Sequence, residues 1–313
     1  MTRCCAVSTA SPRLPTDDEI PKTFASSIEA ASENTGFFYI RTHEIPEELI
    51  QNSLSQAKTF LNQPLSQKMK IDFSASKVSA GYHGVGSTQV NHKETRDLNE
   101  TSSMRYDPRI DPICTDPKSA LEQEGKSRDD GQYIWKGTSH LPKFQEVTVS
   151  FWQSRLALVR IFALALGERE DYFDGVTNHP GADALYIHYP RVSDVAADSY
   201  IDVGIGSHTD IQCFTLLWQE NSGGLQGTLV VNIGDFLQRL SYNKFKSTVH
   251  RVYNCQPDSR YSMPFFFGLN PEPVCKVVPS CVDDEHSPLY EPISCGEWHS
   301  VRLARSRVRN GGE

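Results

Sequence analysis

The sequence predicts an α+β fold in which a helical N-terminal half precedes a core of short β-strands. Two observations carry this expectation. Before Gly167, apolar residues recur at helical spacing, as in Phe24, Ile28 and Ala31, and again in Leu49, Ile50, Leu54, Ala57 and Phe60. Beyond Gly167 the texture changes to short apolar runs separated by turn residues, which is the pattern of a β-sandwich or barrel. No internal repeat interrupts the 313 residues.

The totals narrow the function classes. A net charge of -8 argues against general nucleic-acid or anionic-membrane binding, both of which need a basic face. The one basic cluster, Arg302, Arg305, Arg307 and Arg309, reads as a solvated tail. The N-terminus has no apolar core of signal-peptide length and no run approaches a membrane span, so the expected location is cytoplasmic. The eight cysteines are scattered without Cys-x-x-Cys spacing, so neither a zinc knuckle nor a disulfide framework is expected.

Taken in order, residues 1–15 read as a disordered N-terminus. Thr16 and Glu19 form a capping box for a first helix, which Asn34-Thr35-Gly36 ends. A short strand at 37–40 follows, then a second amphipathic helix from Pro46 to just before Pro64. Residues 74–140 are polar and rich in glycine, proline and aspartate, and read as a long loop at the entrance to a site. Gly81, Gly84 and Gly86 within it lack the Lys-Ser or Lys-Thr of a phosphate loop. A long helix over 142–166 provides a rod for a sheet to pack against. Strands are expected at 184–189, 202–205, 211–218, 228–233, 246–253 and 261–267. The expected organisation is a helical region with its long loop over 16–170, a β core over 171–305 and a tail over 306–313.

The chemistry concentrates around Gly206-Ser207-His208-Thr209-Asp210. If 205–217 is one strand, His208 and Asp210 project from the same face. One more donor would complete a 2-His-1-carboxylate set, which leaves three positions of an octahedral ferrous ion open. His250, in Lys246-Ser247-Thr248-Val249-His250-Arg251-Val252, is the candidate. Ten residues on, Arg260 and Ser262 form another i, i+2 pair suited to gripping a carboxylate through a guanidinium fork and a hydroxyl. His83, His92, His188 and His299 show no partner pattern, and the Gly-x-Ser-x-Gly elbow of a serine hydrolase is absent around Ser207.

These blocks, with Phe214-Thr215-Leu216-Leu217-Trp218-Gln219, Gly223-Gly224-Leu225-Gln226 and Val230-Val231-Asn232-Ile233-Gly234-Asp235 between them, resemble the iron(II)- and 2-oxoglutarate-dependent dioxygenases of the isopenicillin N synthase-like group. Upstream, the run from Glu33 through Thr35-Gly36-Phe37 to Ile40 is similar to the family's N-terminal signature. The resemblance implies a double-stranded β-helix, or jelly-roll, core with the long helix outside. It implies iron ligation by His208, Asp210 and His250, and binding of the distal carboxylate of 2-oxoglutarate by Arg260 and Ser262. Tyr189, in Ile187-His188-Tyr189-Pro190, matches a family tyrosine at the co-substrate site. The implied reaction consumes Fe(II)-bound 2-oxoglutarate and O2, releases succinate and carbon dioxide, and hydroxylates, desaturates or cyclises a small organic substrate of specialised metabolism. Two alternatives are a family oxidase that uses no 2-oxoglutarate and a non-catalytic relative. No nucleic-acid or membrane partner is implied, and oligomeric state is not legible.

The sequence departs from the family pattern in one place. Gln226 runs straight into Gly227-Thr228-Leu229, where family members place a further strand pair, and only 39 residues separate Asp210 from His250. The expected consequence is a core lacking a strand pair after Gln226, with a barrel of fewer strands or an open sheet edge.

Overall fold

The computed structural model describes residues 22–41, 43, 45–111, 114–123, 132–141, 143–145, 148, 156–191, 203–220, 227–254, 258–282 and 289–308. The expected capping box at Thr16, much of the expected long helix and the Gly223 to Gln226 junction lie outside the described residues.

The chain begins with helix α1 (Lys22–Asn34), strand β1 (Phe37–Arg41), helix α2 (Glu47–Leu61) and the single turn α3 (Leu65–Lys68). Helix α1 stops where expected, because Gly36 takes a φ of +69°, which continues no helix. Helix α2 buries Ile50, Leu54, Ala57, Phe60 and Leu61, the apolar stripe visible in the sequence. The 74–140 region is not the structureless loop expected of it. It contains β2 (Gly81–His83), β3 (Glu100–Arg105), α4 (Pro117–Gln123) and α5 (Gln132–Gly137). Strand β3 carries no hydrophobic alternation, since the polar Glu100, Thr101, Ser102 and Ser103 are all buried.

Helix α6 (Leu156–Ala165) precedes the β core of β4 (Asp183–Tyr189), β5 (Val203–His208), β6 (Phe214–Gln219), β7 (Thr228–Ile233), helix α7 (Asp235–Leu240), β8 (His250–Tyr253) and β9 (Arg260–Phe267). The small pair β10 (Val274–Cys275) and β11 (Ile293–Ser294) leads to the C-terminal helix α8 (Cys295–Val308). Every strand pairing among the described residues is antiparallel.

Seven strands form the major sheet in the order β1-β7-β6-β9-β4-β3-β2, and β5 with β8 forms a second sheet. One face of the major sheet is apolar and meets the helices: Phe162 of α6 packs against Phe38, Phe214 and Phe245 with ring centroids 6.3, 5.0 and 6.3 Å away. Side chains alternate along a strand, so the residues between these point the other way. Those residues are Thr215 on β6, Asn232 on β7, Tyr189 on β4, and Arg260 and Ser262 on β9. All five are buried, so the inner face of the sheet carries a set of buried polar side chains.

Among the described residues the second sheet has only these two strands. Residues 94–99 run along β5, where Leu98 donates its amide to the Val203 carbonyl (3.1 Å) and the Asn99 side chain donates to the Gly204 carbonyl (2.6 Å). Among the same residues β8 pairs with β5 alone, and Val249 and Tyr253 stand 66% and 47% exposed along it. No helix among the described residues is long and apolar enough to cross a membrane.

Candidate metal centre and anion clamp

Three donors converge where the two sheets face each other. His208, Asp210 and His250 each offer one ligand atom, and these atoms lie within 4.8 Å of one another. The Nε2 atoms of His208 and His250 are 3.6 and 3.9 Å from Asp210 Oδ1. Register brings the histidines together, since His208 of β5 is paired directly with His250 of β8.

Asp210 arrives by a different route from the one the sequence suggests. Strand β5 ends at His208, and 209–213 form a turn before β6 begins at Phe214. The expected single strand over 205–217 is therefore broken, and no pleat alternation aims Asp210 at His208. The turn does so. A continuous strand would carry both side chains outward in parallel, whereas a turn folds the second back over the first.

The surroundings of each donor suit a divalent metal. His208 Nδ1 faces the Gly206 carbonyl at 2.7 Å, and His250 Nδ1 faces the Thr248 carbonyl at 3.1 Å. A carbonyl only accepts, so each Nδ1 must carry the proton and each Nε2 lone pair is left facing the centre. Burial and the neighbouring His208 hold the His250 imidazole below its usual range, with Asp210 acting in the opposite direction, which favours the neutral, ligating form. Asp210 Oδ2 accepts from Thr215 Oγ1 and from Asn232 Nδ2 (2.6 Å), leaving Oδ1 turned toward the histidines. Thr215 and Asn232 are direct partners in the β6–β7 ladder.

The two residues expected to grip a carboxylate, Arg260 and Ser262, lie on the same inner face. Arg260 pairs in register with Tyr189, and Ser262 with Ile187. The Arg260 guanidinium sits 3.9 Å from the centroid of the Tyr189 ring, and no carboxylate pairs with it among the described residues. Ser262 Oγ is buried and has no hydrogen-bond partner among them. A buried guanidinium with no carboxylate beside it is costly unless an anion meets it. Burial raises the Tyr189 phenol above its usual range, opposed by the positive charge of Arg260, so it stays a neutral hydroxyl. Tyr261, between the two clamp residues, points away, with its hydroxyl on Asn62 (3.1 Å) and its ring stacked on His188.

Several supporting residues carry no signal as motifs. Glu94 accepts from the Ser207 amide (3.0 Å) and hydroxyl (2.7 Å) and pairs with Arg251 (3.2 Å), tying the 74–140 region to both ligand strands. Asp97 accepts from the Gly206 amide at 2.9 Å. Thr215 and Asn232 did leave a trace, as lone polar residues in apolar strands. Arg302 is not part of a solvated tail: it lies on α8 and pairs with Asp235. His188 is structural, bonded through Nδ1 to Glu100 at 2.8 Å.

A jelly-roll with a two-histidine, one-carboxylate cluster between its sheets points to a class of metal-dependent oxygenases. Comparison with known proteins gives the family. Residues 8–124 match the family described as non-haem dioxygenase in morphine synthesis N-terminal, and residues 178–269 match the 2OG-Fe(II) oxygenase superfamily. The 2-oxoglutarate-Fe(II) type oxidoreductase ppzC of Metarhizium rileyi is 37% identical over 306 residues, covering 90% of this chain and 82% of that one. Clavatol oxidase claD of Penicillium crustosum is 27% identical, covering 85% of this chain and 86% of its own. A full-length Neurospora crassa protein crystallised in complex with alpha-KG shares the fold with a TM-score of 0.72 at 23% identity, covering 91% of each chain. The chain belongs to the 2-oxoglutarate- and Fe(II)-dependent oxidoreductases. Its cofactor is Fe(II) and its co-substrates are 2-oxoglutarate and O2. The 306 positions aligned with ppzC exceed the 90% of this chain that they cover, so that relative carries residues with no counterpart here.

Proposed function

We propose that His208, Asp210 and His250 hold the ferrous ion, that Arg260 and Ser262 bind the distal carboxylate of 2-oxoglutarate, and that Tyr189 supports the arginine beside it. The observation that carries this reading is the pair of Nδ1–carbonyl bonds, which turn both Nε2 lone pairs toward Asp210 Oδ1. Bound iron supplies the activation of O2, coupled to conversion of 2-oxoglutarate to succinate and carbon dioxide as the substrate is oxidised. The protein's own residues supply aim. Arg260 and Ser262 fix one end of the co-substrate, the Tyr189 ring supports the guanidinium beside it, and Thr215 with Asn232 orients Asp210.

The substrate is a small organic molecule of specialised metabolism, a reading supported by relatives such as clavatol oxidase. Hydroxylation is the default outcome; desaturation or ring closure would follow from how the substrate is held. The 171–305 core carries the ligands, and the 16–170 region frames the entrance, with Glu94, Asp97 and Asn99 docking it onto β5.

The test is an anaerobic titration with Fe(II) and 2-oxoglutarate, followed by the weak visible charge-transfer absorption of the chelate. The band should need both additions and vanish in His208→Ala. Folded protein that binds iron without this band, and forms no succinate in air, would instead indicate an oxidase that does not use 2-oxoglutarate.

A further inference from the structure

Asp235 sits at the start of α7, away from the three donors, yet its carboxylate reaches both segments that deliver them. Its Oδ1 accepts from Ser247 Oγ at 2.6 Å, three residues before His250. Its Oδ2 accepts from Thr209 Oγ1 at 3.1 Å, the residue between His208 and Asp210. The same oxygen pairs with Arg302 of α8. The Asp235 amide meanwhile donates to the Asp210 carbonyl at 2.7 Å.

The two segments that Asp235 joins lie outside the strands. Asp210 lies in the 209–213 turn, and 246–249 is irregular until β8 begins at His250. Ladder pairing fixes His208 against His250, but leaves the turn to be held by other means. The turn rests on Gly234, where a Cβ would stand 2.2 Å from the Gln212 carbonyl. From the other side, Trp298 of α8 donates its indole N–H to the Ile211 carbonyl at 2.9 Å. The Asp235 side chain is 14% exposed, so its hydroxyl partners compete little with water.

We propose that Asp235 is a positioning residue for the metal centre: one carboxylate, held by Arg302, locks the Asp210 turn and the approach to His250 at ligand spacing. This rests on the reading of His208, Asp210 and His250 as the metal ligands. The carboxylate is required because it offers two acceptor oxygens to two hydroxyls and a cation at once. An amide in its place keeps one acceptor oxygen and loses the ion pair.

The experiment is a titration of metal-free, full-length protein with Co(II), read by visible absorption, alongside thermal melting of the same samples without metal. Wild type should bind and His208→Ala should not. Asp235→Asn should raise the Co(II) Kd by about 10-fold or more, the scale of losing an outer-sphere support. Ser247→Ala should weaken binding about threefold, as for the loss of one hydrogen bond. Phe144→Leu, a cavity in the helical layer, should lower the melting temperature while leaving the Co(II) Kd unchanged, which separates positioning from general stability. A Kd for Asp235→Asn within about twofold of wild type, below the loss of even one hydrogen bond, would overturn the proposal. Were that variant not to fold, an unchanged Kd in Ser247→Ala would overturn it and a weakened one would support it. Equal binding by wild type and His208→Ala would sink the ligand assignment itself, and this proposal with it.

Discussion

Arg260 sits over the Tyr189 ring, its guanidinium carbon 3.9 Å from the ring centroid, on a strand pair that sets the two residues directly opposite each other. Stacking on the ring leaves the planar edge of the guanidinium, with its parallel N–H bonds, available to a carboxylate.

Replacing Arg260 with Met should therefore separate binding from stability. Loss of a charge-assisted, two-point contact costs about 3 kcal/mol, or roughly 100-fold in the Kd for 2-oxoglutarate. Removing a buried cation that has no partner carboxylate should leave the melting temperature of the ligand-free protein unchanged or higher. Calorimetric titration with 2-oxoglutarate and a thermal melt check the two halves; a large loss of stability would mean that Arg260 is an ordinary structural residue.

Gly36 gives a second prediction. Its φ is +69°, and a Cβ there would stand 1.9 Å from the Lys246 carbonyl oxygen, on the segment leading to His250. That segment is held by the Lys246 amide on the Ser32 carbonyl (2.9 Å) and the Thr248 hydroxyl on the Thr35 carbonyl (2.7 Å). Gly36→Ala should cost at least about 2 kcal/mol, from positive φ and collision together. The melting temperature should fall by about 5 °C, with metal affinity reduced as well because the displaced segment carries a ligand.

Acid stability should depend on Glu100. Burial pushes its carboxyl upward, but hydrogen bonds from His188, Lys68 and Tyr82 outweigh it and hold the group below its usual range. The lengths are 2.8, 2.6 and 2.6 Å. A lowered folded-state pKa means that this stabilisation is complete above the unfolded carboxyl's titration and is lost as pH falls through the folded value. Glu100→Gln should cost about 3 kcal/mol at neutral pH, because it strands the buried Lys68 ammonium. It should also flatten the acid limb of stability against pH, followed by circular dichroism. An acid limb as steep as that of wild type would assign acid unfolding to other carboxylates.

The open edge of β8 bears on yield and turnover. Among the described residues β8 pairs with β5 alone, and an edge left unpaired beside exposed Val249 and Tyr253 invites association between chains. Grafting the strand pair of a relative after Gln226 should cover that edge, raise soluble yield and raise the melting temperature. Unchanged light scattering and turnover in the graft would show that the short junction is a tolerated feature of this chain.

Chemistry and fold class are legible in the residues alone. Helical periodicity, short strand runs and the His208, Asp210, His250, Arg260 and Ser262 types in order are local properties, and the structure places a strand within each predicted run, though β6 begins only at Phe214 and β8 only at His250. The way the site is assembled came from tertiary contacts. A 205–217 strand was the simplest local reading of His208 and Asp210, yet a turn does that work, because the Asp235 amide and the Gly234 contact hold it there. Glu94 reaches Ser207 across 113 positions, Arg302 reaches Asp235 across 67, and Asn232 reaches Asp210 across 22. Hydrogen bonds of that kind leave no periodicity in a sequence, since each needs only one donor and one acceptor that the packed sheets happen to bring within about 3 Å.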